Sequence, residues 1–191
     1  MNELPGYTPS EFLFYPNEND LYPIRREWNM ILEHYGEGRA KRSQVPFINH
    51  IIEGLAILRY IDASTQAKAA FCIHPIIQAD ADLVENFDWV RKTVGGDVLM
   101  LAMEYRSVAN EYLSHRNVFS LNEIRLSPLK DVNDMLIADK VQNYKDFILY
   151  HHGTHPRSNE LHEYFKNWLD RLECRDVMDE YFPGWQSYAT V

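Results

Sequence analysis

Between Ile24 and Tyr181 the apolar residues recur at intervals of three and four, and glycine or proline interrupts several of the runs. That period marks one face of an α-helix; a half-buried strand would alternate every two residues, and no run does so clearly. The first run, Ile24, Trp28, Ile31, Leu32 and Tyr35, ends at Gly36 and Gly38. A second helix is expected from Phe47 to Ile61, with Ile51, Leu55 and Leu58 facing inward. A third, capped by Ser64 or Thr65, should reach His74 with Ala67, Ala70 and Phe71 on its apolar face. A short fourth helix begins in the acidic stretch Asp80 to Asp88 and is broken at Gly95-Gly96. The spacing then predicts helices over Val98–Leu113, Pro128–His151 and Asn159–Leu172, and a short one to Tyr181, stopped by Pro183-Gly184. Eight helices and no strand make an all-α fold.

The chain of 191 residues is long enough for one domain with a substantial core and short for two. Residues 24–150 carry the core pattern. Residues 1–23 hold Pro5, Pro9, Pro16 and Pro23 among five aromatics, which forbids a long helix there and suggests an irregular arm packed on the body. Residues 151–191 form C-terminal helices packed on the core, with no internal repeat or low-complexity segment along the way.

Charge excludes some functions. Asp plus Glu number 28 against 19 Lys plus Arg, a formal net charge of -9 that repels a nucleic-acid backbone. A small anionic ligand needs only a local basic pocket, and Gly38-Arg39-Ala40-Lys41-Arg42-Ser43 supplies a basic loop in an acidic chain. Cys72 and Cys174 fit no metal or redox spacing, and Cys72 reads as a small core residue. Neither a signal-peptide pattern nor an 18-residue apolar run is visible, so a cytoplasmic protein without membrane attachment is expected.

Three short stretches carry chemistry. Pro46-Phe47-Ile48-Asn49-His50 opens one helix, Phe71-Cys72-Ile73-His74-Pro75 closes another, and Ile137-Ala138-Asp139-Lys140-Val141-Gln142-Asn143 lies within a long one. His50, His74 and Asp139 each sit on or beside an apolar face, so all three can point inward. Two imidazoles and a carboxylate are ligands for a catalytic divalent ion with positions left for water. Taken singly, each reads first as a hydrogen-bonded core residue. His151, His152 and His155 read as an exposed turn, while Tyr144, Tyr150, Tyr164, Phe165 and Trp168 read as core or partner contacts. No Ser-His-Asp set, phosphate-binding glycine loop or dinucleotide fingerprint is present.

The same stretches, in the same order and approximate spacing, resemble the hydrolase domain of RelA/SpoT-type alarmone hydrolases, which belong to the HD-domain phosphohydrolases. Arg42 to His50 looks like that family's basic loop followed by Pro-Tyr-Ile-x-His. Ile137 to Asn143 looks like its Ala-Asp-Lys/Arg-Leu-x-Asn motif, and the likeness spans about Ile24 to Phe147. It implies metal ligation by His50, His74 and Asp139, with manganese the usual ion. It implies contacts from Lys41 and Arg42 to purine and phosphates, and from Asn143 to the nucleotide. The reaction implied is removal of pyrophosphate from the 3′ position of a guanosine tetra- or pentaphosphate. The chain departs from the pattern in one place. Pro75 stands where the family's His-Asp pair has aspartate, and Gln78-Ala79 stand where a Glu-Asp pair serves the attacking water. Asp80 and Asp82 are the nearest substitutes. Two readings follow: a phosphohydrolase acting on a nucleotide, or an HD domain without catalysis that binds a nucleotide or a protein. Association into a homo-oligomer is open under either.

Overall fold

The computed structural model describes residues 16–112 and 120–188. Among them the chain is all-α, with no strand and one isolated bridge between Arg39 and Pro46. The helices are α1 (Glu18–Leu21), α2 (Arg25–Tyr35), α3 (Ile48–Tyr60), α4 (Thr65–Ile73), α5 (Asp80–Thr93), α6 (Gly96–Glu111), α7 (Lys130–Tyr150), α8 (Ser158–Arg171), α9 (Arg175–Tyr181) and α10 (Trp185–Tyr188). All eight expected helices are present, most of them within two residues of the boundaries read from periodicity. The arm expected over residues 1–23 lies outside the described residues up to residue 15. From residue 16 it holds α1, closed by a capping box between Asn17 and Asp20, and a 3-10 turn over Tyr22–Ile24.

Two helices organise the rest. α4 is buried almost all round: Ala67, Ala69, Ala70, Phe71, Cys72 and Ile73 are all inaccessible, and α2, α3, α6 and α7 pack against it. A nine-residue helix with so little polar surface is stable only as the centre of a core. Ser64 caps its start by accepting the amide of Ala67 at 3.0 Å. At its other end Pro75 has no N–H to continue the α-helical ladder, and the chain tightens into a 3-10 turn over His74–Ile77. α7 is the longest helix and spans the body, touching α3, α4, α6, α8, α9 and α10.

α3 and α4 meet at Gly54, where a Cβ atom would overlap the ring of Phe71. This contact sets the distance between the helices that carry His50 and His74. The C-terminal helices lean on the far side of α7, burying Trp168, Leu169, Met178 and Phe182.

Candidate metal centre

His50, His74 and Asp139 come together although 89 residues separate the first from the last. One donor atom of each lies within 4.8 Å of the other two. His50 stands in the first turn of α3, His74 follows the last residue of α4, and Asp139 lies midway along α7. The aromatic ring of Phe71 fills the space behind both imidazoles, its centroid 5.4 Å from that of His50 and 4.7 Å from that of His74.

Hydrogen bonds fix both tautomers. His74 Nδ1 is 2.7 Å from the carbonyl oxygen of Phe71, which can only accept, so Nδ1 carries the proton. His50 Nδ1 is 2.7 Å from Gln142 Oε1. The Gln142 amide cannot be turned round, because its nitrogen donates to Asp146 Oδ2 at 2.8 Å and to Glu53 Oε2 at 3.2 Å. Lys145 in turn bridges these two carboxylates, at 2.6 Å to Glu53 and 2.9 Å to Asp146. Nδ1 of His50 is therefore also protonated. The two Nε2 atoms, each left with a lone pair, face one another at 3.3 Å, and His50 Nε2 is 3.6 Å from Asp139 Oδ1.

Burial keeps this arrangement basic. The His74 imidazole falls to about 3, first because burial disfavours its cation and then because His50 is beside it. Burial by itself would raise the Asp139 carboxyl, but the ammonium of Lys140 and then His50 and His74 outweigh it, bringing the group down to about 2. Lys140 Nζ sits 2.8 Å from Asp139 Oδ2. Asn143 donates to Asp139 Oδ1 at 2.8 Å, and the buried Tyr105 hydroxyl also bonds the carboxylate. With both rings uncharged, no proton stands between the two Nε2 atoms, and the Asp139 carboxylate lies beside them. Such a gap suits an electrophile. On a tetrahedral zinc ion, with bonds of about 2.0–2.1 Å, two imidazole nitrogens stand about 3.3–3.4 Å apart. The residues present therefore fit a divalent ion.

A cleft of about 260 Å³ reaches His50, the one member of the cluster that lines it. Tyr35, Val45, Pro46 and Phe47 make an apolar wall, with the Tyr35 and Phe47 rings 5.5 Å apart. His50, Gln142, Asn143 and Asp146 make the polar wall opposite. Asn143, expected to touch a nucleotide, thus lines the cleft while holding Asp139. Lys41 and Arg42 occupy the exposed tip of the loop above, whose neighbours Ala40 and Ser43 line the cleft. Neither has an ion-pair partner among the described residues. Asp80 and Asp82, taken as substitutes for missing acids, are not in the cluster. Asp80 points to solvent and pairs with Arg106 of α6. Gln78 is tied to Asn110, donating to Asn110 Oδ1 at 2.5 Å.

Sequence reasoning missed Gln142, Glu53, Lys145 and Tyr105. Gln142 was within the quoted motif, and its place one turn beyond Asp139 was the only signal for it. No family model, curated protein or solved structure matches the chain. No helix among the described residues is long and apolar enough to cross a membrane.

Proposed function

We propose that the chain is a metal-dependent phosphohydrolase of the HD type acting on a nucleotide, with a guanosine 3′-pyrophosphate alarmone as the first substrate to test. The observation that carries the reading is the pair of Nε2 lone pairs facing each other beside Asp139 with both tautomers fixed from outside. A divalent ion there, manganese by the resemblance, would supply acidified water and a Lewis acid for a phosphoryl group. The chain's own residues do the rest. His50, His74 and Asp139 present three donors on one side; Asn143 and Gln142 hold two of them in place. Lys41 and Arg42, without an ion-pair partner among the described residues, put positive charge at the mouth of the cleft, where polyphosphate would enter.

A second reading rests on a specific observation: the turn after His74 brings no carboxylate of its own into the cluster. Pro75 offers no donor atom, Gln78 is tied to Asn110, and Asp80 is turned to Arg106. Loss of a general base alone costs about 10²–10⁴ in rate. The same cleft would then bind a nucleotide without cutting it. The deciding experiment supplies manganese and a panel of nucleotides, measuring released phosphate and pyrophosphate alongside nucleotide binding. Release that disappears in His74→Ala supports the hydrolase. Binding without release supports the second reading, and neither binding nor release refutes both.

A further inference from the structure

α7 buries two lysines, and their surroundings differ. Lys145 is matched by two carboxylates, Glu53 and Asp146. Lys140 has one, Asp139, the only anionic member of the candidate metal cluster. Its Nζ lies 2.8 Å from Asp139 Oδ2, and only 7% of its side chain is exposed. Two aromatic faces from α8 complete the enclosure, with Nζ 5.0 Å from the ring centroid of Trp168 and 5.7 Å from that of Tyr164. Indole and phenol faces attract a cation without neutralising it, so the ammonium is held charged in a dry place. The two oxygens of Asp139 are thereby divided: Oδ2 belongs to Lys140, while Oδ1 takes Asn143 and faces His50.

Asp139 and Lys140 cancel each other with no ion present. Behind His50, Lys145 offsets one of the two carboxylates Glu53 and Asp146 and leaves one negative charge. A divalent ion adds two positive charges, more than that one carboxylate offsets, in a region where charge is poorly screened. We infer that Lys140 is a resident counter-cation for Asp139, clamped by Trp168 and Tyr164, which lets the cluster fold without metal and holds down its affinity for metal. The inference rests on the metal reading of the cluster and deepens it. A filled site with surplus positive charge favours an anionic ligand, which is the chemistry of a phosphoryl group. It also gives α8, which lies outside the stretch resembling the hydrolases, a role in that site.

The test is Lys140→Met, which keeps the unbranched stem of the side chain as far as the ε position, removes the ammonium and can lie on the same aromatic faces. Metal-free Lys140→Met should melt roughly 6–20 °C below the wild type, because Asp139 is left as an uncompensated buried charge. Manganese, followed by calorimetry, should bind it at least about tenfold more tightly. Asp139→Asn/Lys140→Met, with both charges gone, should recover more than half of the lost melting temperature and bind no manganese. Should Lys140→Met fold only when manganese is present, the inference is supported. Equal manganese affinity in Lys140→Met and a wild type that does bind the ion overturns it and leaves the metal reading intact. A double variant no more stable than Lys140→Met also overturns it. If the wild type binds neither manganese nor zinc, the metal reading falls, and the competition proposed for Lys140 falls with it; the double variant still reports whether the pair is charge-balanced.

Discussion

Leucine in place of Gln142 would separate the tautomer of His50 from its position. Gln142 Oε1 is the acceptor that keeps the His50 proton on Nδ1, at 2.7 Å. Leucine fills a similar volume and accepts nothing. The ring could then carry its proton on Nε2, the atom aimed at His74 and Asp139. Loss of a partner that orients a ligating histidine costs 10–100-fold in metal affinity, or about 1.4–2.8 kcal/mol. The fold should suffer less than the site. Glu53 and Asp146 lose the Gln142 amide but keep Lys145, so no carboxylate is stranded. What remains is the half-buried Nδ1 of His50 without its hydrogen bond, worth about 0.5–1.5 kcal/mol. Titration of manganese by calorimetry, paired with thermal melts of the metal-free protein, reads both quantities. A Gln142→Leu protein that binds manganese as tightly as the wild type would refute the claim that this amide sets the site.

Acid should destabilise the metal-free protein through His74. His74 is held near 3 when folded and returns to about 6.5 when unfolded, so the unfolded chain binds the extra proton in between. Stability is full above the unfolded value and falls by about 1.4 kcal/mol per pH unit as pH drops below 6.5. Denaturant melts from pH 7 to 4.5 should show that slope in the wild type and a flatter one in His74→Gln. Gly54→Ala should cost about 1–3 kcal/mol net, because the new methyl meets the Phe71 ring, and it should weaken manganese binding by moving both imidazoles. Thermal melts and calorimetry check the two effects together. Asp80→Ala and Asp82→Ala should leave manganese affinity unchanged, since neither reaches the cluster; a loss of affinity in either would require a rearranged turn after His74.

Helix positions were legible because burial and period coincide: Ala67, Ala70 and Phe71 lie on a spacing that only a helix can bury. The His50, His74 and Asp139 cluster was legible for a related reason, joined to the resemblance of the motifs around it. His50, His74 and Asp139 are polar residues on apolar faces, and each needs a partner once buried. Their partners were not legible. Glu53 and Gln142 meet across 89 residues, and Lys140 meets Trp168 across the α7–α8 packing, contacts that no local pattern encodes. The turn after His74 shows the same limit from the other side. Pro75 announces that a helix ends, but the chain continues as a 3-10 turn into α5, turning Asp80 outward to Arg106. Proximity in sequence made Asp80 and Asp82 candidates, and the direction of one short turn separates them from the cluster.

The most direct test of the account is calorimetric titration of manganese into metal-free protein at pH 7.5, beside Asp139→Asn under the same conditions. One ion should bind per chain in the wild type, and Asp139→Asn should bind at least about a hundredfold more weakly, having lost the anionic ligand. No saturable binding in the wild type, or equal binding in both proteins, would contradict the assignment of His50, His74 and Asp139 as a metal centre.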